Sequence, residues 1–409
     1  MSARYIPPVP QRILLLQNEI RDYAWGSRTA LAELTGRSSP APGPEAELWM
    51  GAHPGAPSKV SPEGAEIGLD AWIRRDPDAV LGAKVARRFD TELPFLLKVV
   101  APDRALSIQT HPDEEQAREG FARENAAGLP LDAPNRSYRD SHHKPEIVCA
   151  LTRFDALCGF RPIGEIVAGV GALSLPGLGE ALAALEADRS RRGLADFFRG
   201  VMTRSAEART QLAHQVAEQA ARGAGDPDAC RCAVWLAKQY PGDPGVLAPF
   251  LLNAVRLEPG EALFLPAGEL HCYLRGVAME GMANSDNVLR GGLTPKHMDV
   301  PELLRTLSFR DGRPPVLRPR QLAPGLGVYD TPAAEFELAV LRPRPDRPVR
   351  CTGRSSLEIL FCAEGEARLR DDRGEAVALA RGAAALVPAA VPTLLVEGDA
   401  KIFRAGVPG

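Results

Sequence analysis

The sequence has 409 residues, a formal net charge of −3 and a charged fraction of 25%. This length is typical of two or three domains with a large core. The near-neutral charge argues against nucleic acid or a membrane surface as a partner. No run of about 20 apolar residues predicts a membrane span, and residues 1–8 lack the apolar stretch of a secretory signal. We therefore expect a cytoplasmic protein.

The chain begins with a β-type pattern. Residues 12–160 contain mostly short apolar runs broken by proline, glycine and aspartate. Within them, residues 93–100 and 147–151 predict strands, whereas residues 30–35 and 114–126 predict helices.

The middle of the chain has a different character. Alanine, leucine, glutamate and arginine at helical spacing predict helices over residues 180–187, 194–202, 207–221 and 228–240. The cysteines of the whole chain are seven in number and scattered, so we expect no disulfide framework. Cys230 and Cys232 form the only close pair. Their spacing differs from structural zinc motifs, and we interpret them as buried thiols of a helix.

Strand patterning resumes at residues 254–257, and a short helix is predicted over residues 301–307. The Pro/Arg-rich stretch 313–324 is interpreted as a linker before a last β region over residues 336–403. The expected organisation is a discontinuous β domain over 1–162 and 247–312, an inserted helical domain over 163–246, and a C-terminal β domain over 313–409.

An internal repeat connects the two β regions. Gly260 and Pro266 bracket five residues, and His271 follows; Gly382 and Pro388 bracket another five, and Thr393 follows at the same offset. We interpret this as two β domains of one design, of which only the first is equipped for a metal. The alternative is a chance match of glycine and proline in two loops.

Three segments carry candidate metal ligands. Gln109 and His111 are two residues apart, so on a strand they share a face. Glu146 follows Lys144 in a second segment, and His271 ends a strand punctuated by glycine and proline. Read singly, Gln109 and His111 fit a hydrogen-bonded turn better than a metal site, and a lone histidine such as His271 is more often structural. The alternative for Glu146 is a charged loop before a strand.

The segment around His271 resembles the second motif of the cupin superfamily, although Arg275 replaces its closing asparagine. Gln109 and His111 stand where cupins commonly have two histidines. With Glu146 the four residues form a nitrogen and oxygen ligand set that suits zinc. Because only one ligand is anionic, a divalent ion would keep positive charge, which favours a Lewis-acid role.

A polar segment follows over residues 279–296. It contains Glu280, Asp286, Arg290 and Lys296. Arg290 precedes two glycines, so its planar guanidinium could bind a phosphate while the backbone approaches closely. The alternative is a polar surface loop.

Taken together, phrases spread in order along the chain resemble the type I mannose-6-phosphate isomerases, which are zinc-dependent phosphomannose isomerases. The matching phrases cover residues 22–26, 47–54, 93–98, 106–113, 143–146, 263–271 and 282–296. The resemblance implies a mainly β fold with an α insertion: two cupin-type jelly-roll barrels, of which the second is metal-free, plus an inserted helical domain.

The resemblance also implies an activity and a cofactor. It implies an aldose–ketose isomerase that interconverts mannose 6-phosphate and fructose 6-phosphate through an enediol(ate). One Zn²⁺ per chain would be held by Gln109, His111, Glu146 and His271. Arg290 would be a catalytic or substrate-binding residue. We expect a phosphorylated hexose as the small-molecule partner, no nucleic acid or membrane partner, and a monomer.

Moving a proton between C1 and C2 of the sugar requires an acid–base group. The candidates are Lys144, Glu280, Asp286 and His143. We favour Lys144, because lysine can lose its proton where positive charge gathers. His143 or Asp286 could assist ring opening. The pocket is expected to be lined by Ser107, Lys98, Tyr273, Glu47 and Lys296.

Two other functions remain open at this point. A non-catalytic sugar-binding cupin protein would need the barrels but not the polar segment. A metal-dependent cupin oxygenase would prefer the iron facial triad, against which the glutamine ligand argues.

Overall fold

A computed structural model describes residues 12–62 and 64–409. Residues 1–8, in which no signal sequence was expected, lie outside the described part. The first elements in chain order are β1 (Leu14–Leu16), β2 (Glu19–Arg21), α1 (Ala30–Leu34), β3 (Glu47–Gly51), β4 (Lys59–Val60), β5 (Ile67–Gly68), α2 (Leu69–Ile73), α3 (Pro77–Leu81), α4 (Ala83–Arg88), β6 (Phe95–Val100), β7 (Ile108–Thr110), α5 (Glu114–Ala126), β8 (Glu146–Ala150) and β9 (Phe154–Phe160).

A helical region follows, with a 3-10 helix at Pro244–Leu247 before its last helix. It contains α6 (Ile163–Ala172), α7 (Gly179–Ala187), α8 (Arg191–Met202), α9 (Ala206–Ala221), α10 (Pro227–Gln239) and α11 (Ala248–Leu251). The rest of the chain contains β10 (Leu252–Leu257), β11 (Ala262–Leu265), β12 (His271–Arg275), β13 (Ala278–Ala283), β14 (Leu289–Gly292), α12 (Val300–Thr306), β15 (Arg320–Ala323), β16 (Leu326–Tyr329), β17 (Glu337–Leu341), β18 (Val349–Thr352), β19 (Glu358–Asp371), β20 (Ala376–Ala380), β21 (Ala384–Val387) and β22 (Thr393–Gly406).

The elements stack in layers. A five-stranded sheet (β10-β9-β12-β7-β14) faces a six-stranded sheet (β11-β8-β13-β6-β3-β2) across a shared apolar core. The helical region packs on the outer side of the five-stranded sheet. A nine-stranded sheet, built mainly from the C-terminal part, packs on the outer side of the six-stranded sheet. The mainly β fold with an α insertion is therefore confirmed.

This stacking explains the composition of the six-stranded sheet. Every residue of β3, β6, β8 and β13 is buried. Because successive side chains alternate between faces, one face packs on the nine-stranded sheet and carries apolar side chains. The other face points between the two sheets of the first β region and can carry polar ones.

Three of the four helices predicted for the insertion begin within one residue of the expected start, whereas α8 begins three residues earlier than predicted and α6 and α11 were not predicted. Ser190, Ser205 and Asp226 each accept a hydrogen bond from a backbone N–H of the first turn of α8, α9 and α10. Such caps satisfy donors that have no partner within the helix. Cys230 and Cys232 lie in α10, and all seven cysteines are free thiols.

One strand crosses the expected domain boundaries. Leu14–Leu16 pairs antiparallel with Ala384–Val387 and so joins the nine-stranded sheet, although residues 1–162 were expected to form part of the first β domain. We propose to keep the divisions after residues 162, 246 and 312 and to assign this strand to the C-terminal domain.

The interpretation of residues 313–324 as a linker is wrong for the last part of that stretch. Arg320–Ala323 forms the edge strand β15, which pairs with β16. All four of its residues are exposed. Without a buried face the strand has no hydrophobic alternation, so the sequence gives no strand signal there.

The sequence also did not predict α2, α3 and α4. The last carbonyl groups of α3 accept hydrogen bonds from distant backbone N–H groups: Ala79 from that of Ala390 at 3.0 Å, Val80 from that of Ala389 at 2.9 Å, and Leu81 from that of Leu357 at 3.2 Å. A five-residue helix has little stability alone. The carbonyl groups at its C-terminal end are satisfied here by two segments of the C-terminal β region.

The internal repeat is confirmed as a structural repeat. Gly260 and Gly382 both have a positive φ, at 94° and 79°, and each precedes a four-residue strand, β11 or β21. His271 and Thr393 are then the first residues of β12 and β22. The two β regions therefore place these residues at equivalent points.

We predict that Gly82→Ala destabilises the protein more than Gly36→Ala. Both glycines have a positive φ, at 92° and 67°. A methyl group on Gly82 would lie 2.2 Å from the backbone oxygen of Ser355, whereas one on Gly36 would meet nothing within 4 Å. Urea unfolding should show a loss of about 1 kcal/mol for Gly36→Ala and roughly 2–4 kcal/mol for Gly82→Ala. Equal losses of unfolding free energy in the two variants would contradict the close contact between Gly82 and the backbone of Ser355.

Candidate active site

A row of charged side chains crosses the inward face of the six-stranded sheet. Lys98 of β6 lies directly between Trp49 of β3 and Glu280 of β13 in the strand register. Glu47 is two residues from Trp49 and therefore points to the same side. Glu146 begins β8 and pairs with Met282. The register thus brings residues that are far apart in the sequence to one face.

The buried His111, Glu146 and His271 form a cluster whose potential ligand atoms all lie within 4.8 Å of one another. His111 Nε2 is 3.4 Å from Glu146 Oε1, and His271 Nε2 is 3.5 Å from Glu146 Oε2. Each side chain is about 1% exposed. No other such cluster occurs in the part of the chain that the structure describes.

The two imidazoles are oriented by backbone carbonyls. His111 Nδ1 lies 2.7 Å from the carbonyl oxygen of Asn287, and His271 Nδ1 lies 3.0 Å from that of Glu269. Each Nδ1–H therefore donates a hydrogen bond, which leaves the lone pair of Nε2 facing Glu146. Burial lowers the pKa of His111 to about 4, so this imidazole is neutral near pH 7.

The cluster fits a divalent cation. His111 Nε2 and Glu146 Oε2 are buried and have no hydrogen-bond partner in the described structure. Buried polar atoms without a partner are costly. Imidazole nitrogen and carboxylate oxygen are the donors that zinc accepts. Burial alone would raise the pKa of Glu146, but Lys144 and His111 hold it well below its ordinary value.

Gln109 adjoins this cluster. It lies opposite His271 in the register, and its Nε2 is 3.4 Å from His271 Nε2. The nitrogen and oxygen of an amide are assigned from their hydrogen bonds and are interchangeable by rotation. Turned by 180°, the amide directs its oxygen towards the cluster, so Gln109 is placed to be a fourth ligand.

A second group of charges lies beside the cluster. Lys98 Nζ is 3.3 Å from Glu280 and 3.8 Å from Glu47, and Tyr273 donates a 2.8 Å hydrogen bond to Glu280. Burial alone would lower the pKa of Lys98, but Glu47 and Glu280 raise it above its ordinary value. Burial raises the pKa of Glu280. This carboxyl group can therefore exchange a proton more readily than a surface glutamate.

These groups open into a cavity of about 690 Å³. It is lined by most of the residues that the sequence analysis selected: Glu47, Lys98, Ser107, Gln109, Lys144, Glu146, Tyr273, Glu280, Asp286, Arg290 and Lys296. Lys144 Nζ lies 3.0 Å from Glu146 Oε1. His143 is not brought to the cavity. Its Nε2 lies 2.9 Å from Glu335 Oε1 in the C-terminal part of the chain.

Positive charge gathers at one side of the cavity. Arg290 lies in β14 opposite Gln109. Burial is the main cause that lowers the pKa of Arg290, and the positive charge of Arg139 lowers it further. Burial likewise lowers the pKa of Lys296, and the charges of Arg290 and Arg139 add to this effect. Among residues 12–62 and 64–409, no carboxylate pairs with Arg290. The guanidinium thus faces the cavity with its donors free.

His53 has a role at the site that the sequence did not predict. Its Nε2 lies 3.3 Å from Asp286 Oδ1, and its Nδ1 accepts a 3.0 Å hydrogen bond from the Gly55 N–H. Because Nδ1 is an acceptor, the neutral ring carries its proton on Nε2 and donates it to Asp286. Trp49 packs edge-on against the ring at 4.9 Å. The signal available in the sequence was a histidine in a strand-ending segment, before Pro54.

The second β region has a different arrangement at the equivalent position. Glu358 begins β19 and pairs with the last residue of β21, as Glu146 begins β8 and pairs with the last residue of β11. Glu358 accepts a 2.6 Å hydrogen bond from Arg354, whose side chain is 2% exposed. A guanidinium thus supplies the positive charge beside this carboxylate.

The fold and the site define a β-rich protein of the cupin type with a buried histidine–carboxylate centre. The family model of the phosphomannose isomerase type I catalytic domain matches residues 13–163. The chain is 39% identical to the mannose-6-phosphate isomerase of Salmonella typhimurium, over 95% of this chain and 98% of that protein. It is 34% identical to the enzyme of Bos taurus, over 97% and 98%.

Solved structures agree with these relatives. A zinc-bound mannose 6-phosphate isomerase superimposes with a TM-score of 0.89 and 37% identity, covering 97% of this chain and all of that one. The Salmonella typhimurium enzyme bound to fructose 6-phosphate and zinc gives the same TM-score, identity and coverage of this chain. The chain therefore belongs to the type I mannose-6-phosphate isomerase family. Within the described residues, no helix has both the length and the apolar character needed to cross a membrane.

We predict that His53→Leu raises the pKa of Asp286. Burial alone would raise that pKa, but the hydrogen bond and charge of His53 lower it to about 2. Without His53 the carboxyl group should titrate closer to the ordinary aspartate value of about 3.9. Carboxyl carbon NMR of labelled aspartate can follow the titration. The exposed His214 provides the control, because His214→Leu should leave Asp286 unchanged. An unshifted Asp286 in His53→Leu would contradict the contact.

Proposed function

We propose that this protein interconverts mannose 6-phosphate and fructose 6-phosphate by zinc-assisted proton transfer between C1 and C2. The observation that carries the proposal is the buried cluster of His111, Glu146 and His271 at a cavity that also presents free cationic side chains. Membership of the isomerase family supports it. The seven free thiols fit the reducing cytoplasm, where we propose that the enzyme acts.

We propose that Gln109, His111, Glu146 and His271 hold the zinc ion. A bound zinc ion would act as a Lewis acid towards the sugar oxygens on which negative charge develops during enolisation. The carbonyl groups of Asn287 and Glu269 keep both histidines in the tautomer that presents Nε2. The chain itself thus prepares the ligands before any ion binds.

Lys144 is the proposed acid–base group. It is buried, lines the cavity, and lies 3.0 Å from a proposed ligand, Glu146. Its ammonium is therefore close to where the reacting carbons would sit. Lysine can give up a proton, which arginine cannot. In this role Lys144 acts as the neutral amine, which takes the proton from one carbon to become an ammonium and then returns that proton to the other carbon.

The remaining polar groups position the sugar and handle its hydroxyl protons. Glu280, held between Lys98 and Tyr273, is proposed to exchange protons with sugar hydroxyl groups, because burial favours its protonated form. Asp286, held ionised by His53, is proposed to assist ring opening as a base. Glu47 and Ser107 are proposed to contact the sugar from the cavity wall.

Arg290 and Lys296 are the proposed phosphate-binding residues. Both line the same cavity as the metal cluster. Neither pairs with a carboxylate within the described ranges, and burial already disfavours their charge. A phosphate dianion would supply the missing negative charge, and the guanidinium can bind it through two parallel hydrogen bonds. A sugar-binding protein without catalysis would not need Lys144 beside such a centre.

We predict that purified protein contains one zinc ion per chain and that Glu146→Gln loses it. Glu146 is the only anionic ligand, so the zinc affinity should fall by at least the roughly 10–100-fold seen for lesser changes around a metal. The matched control is Glu358→Gln at the equivalent position of the second β region. Elemental analysis should find zinc retained in the control. Retention in Glu146→Gln, or loss in both variants, would contradict the assignment.

We predict that wild-type protein forms fructose 6-phosphate from mannose 6-phosphate and loses this activity on chelation. Lys144→Met should retain zinc but lose activity by roughly 10²–10⁴-fold, the usual contribution of an acid–base group. Exchange of the C2 hydrogen with solvent should fall equally. Lys84→Met, on the surface of α4, should behave as wild type. Near-normal exchange in Lys144→Met would remove Lys144 from this role.

A further inference from the structure

The helical insertion forms one wall of the cavity. Gln239 is the last residue of α10, and Tyr240, Pro241 and Asp243 follow it; all four line the cavity with the metal cluster. Apart from this segment, the cavity lining comes from the first β region. The site therefore includes a part of the chain whose sequence carries no recognisable catalytic motif.

Asp243 joins this wall to the segment that carries the cationic residues. Its Oδ1 accepts hydrogen bonds from the backbone N–H groups of Leu293, at 2.8 Å, and Gly245, at 2.7 Å. Its Oδ2 accepts a third from the N–H of Thr294, at 3.2 Å. Hydrogen bonds from backbone N–H groups to a carboxylate are stronger than neutral ones. One side chain thus binds two backbone segments, its own turn at Gly245 and the turn at residues 293–294.

The backbone held by Asp243 is conformationally unusual. Leu293 has φ = +54°, and Gly292 before it has φ = +143°. A leucine with a positive φ is unfavourable and persists only where its surroundings impose it. Two of the three hydrogen bonds of Asp243, those from Leu293 and Thr294, act directly on this turn. It lies between Arg290 and Lys296, so its shape sets the separation and direction of both cations.

Two glycines allow the close approach. A methyl group on Gly292 would lie 2.9 Å from the Cα atom of Gly245, and one on Gly245 would lie 2.8 Å from Leu293 Cγ. Both distances are too short for a real side chain. The insertion and the cationic turn therefore pack backbone against backbone, and this contact tolerates no added atom.

The insertion also forms hydrogen bonds with a second segment beside the cavity, at Ala105. Tyr240 donates a 2.6 Å hydrogen bond to the carbonyl oxygen of Ala105, and Gln239 accepts one of 3.0 Å from the Ala105 N–H. Ala105 is two residues before Ser107, in the segment that leads into β7 and the metal cluster. The end of α10 thus ties together two segments that flank the cavity.

We propose that Asp243 is a positioning residue for phosphate recognition, and that the helical insertion serves to hold the turn at residues 293–296 over the cavity. This inference rests on the proposed function, because it assigns the held cations to the substrate phosphate. Both carboxylate oxygens of Asp243 are already bound by backbone N–H groups, so the proposal assigns it no contact with the substrate. It acts by keeping Arg290 and Lys296 at a fixed separation, which lowers the ordering cost of binding the phosphate.

The test compares Asp243→Asn with Asp226→Asn. Asparagine preserves size but replaces one acceptor oxygen with a donor, so at least one backbone N–H of the turn loses its partner. Asp226 also accepts hydrogen bonds from two backbone N–H groups in the same insertion, but at the start of α10 and away from the cavity. Both changes weaken the insertion, whereas only the first releases the cationic turn.

For Asp243→Asn we expect KM for mannose 6-phosphate to rise about tenfold, the usual effect of losing one charge-assisted hydrogen bond, with kcat changed less than about threefold. The dissociation constant of inorganic phosphate, measured by calorimetry, should rise by a similar factor, and the zinc content should not change. Asp226→Asn should lower the melting temperature without changing KM. Unchanged KM and phosphate affinity in folded Asp243→Asn would overturn the proposal, as would equal effects in the control.

Gly245→Ala provides a second route if Asp243→Asn fails to fold. It keeps the carboxylate but forces the turn away, so it should raise KM and weaken phosphate binding in the same way; unchanged values would overturn the proposal. The phosphate measurement does not depend on turnover. If wild-type protein shows no isomerase activity, the proposed function fails, while phosphate affinity in wild type and variants still decides whether Asp243 organises an anion site.

Discussion

The buried carboxylate of Glu146 is the constraint on which the rest of the structure depends. An ionised carboxylate removed from water costs several kcal/mol unless partners compensate it. Here Lys144 supplies an ammonium at 3.0 Å, and the imidazoles of His111 and His271 turn their Nε2 atoms towards the carboxylate. One carboxylate oxygen still lacks a hydrogen-bond partner. The fold thus brings together a charge and a set of lone pairs that a cation completes.

The layered architecture makes this arrangement possible. The six-stranded sheet is covered on its outer face by the nine-stranded sheet and is therefore held rigidly by apolar contacts on that side. Its inner face is free to carry Glu47, Lys98 and Glu280, whose charges offset one another. Burial of apolar side chains on the outer face thus offsets the desolvation cost of the polar groups on the inner face. The helical insertion then closes the cavity from the side of the five-stranded sheet.

The two β regions show alternative ways to neutralise the same buried position. Glu146 and Glu358 begin equivalent strands and pair with equivalent residues. In the first region two histidines face the carboxylate. In the second, Arg354 binds Glu358 directly and also donates to backbone carbonyl groups such as that of Val387. A guanidinium fills the space with its own charge and hydrogen bonds, whereas imidazole lone pairs leave room for an ion. The first arrangement can therefore bind a metal ion, whereas the second only stabilises the packing of its β region.

Much of this could be predicted from the sequence, because strand alternation and helical spacing are local. They placed Gln109 beside His111, set the helices of the insertion, and revealed the repeat that ends in His271 and Thr393. Contacts between distant segments were beyond local patterns. Four features arise only from packing: the contact of His53 with Asp286, the edge strand β15, the pairing of β1 with β21, and the hydrogen bonds of Asp243 to residues 293–294. The sequence alone thus determined the residue types of the centre. The tertiary structure decided their partners and distances, because strand register and layer packing bring together groups that no local periodicity connects.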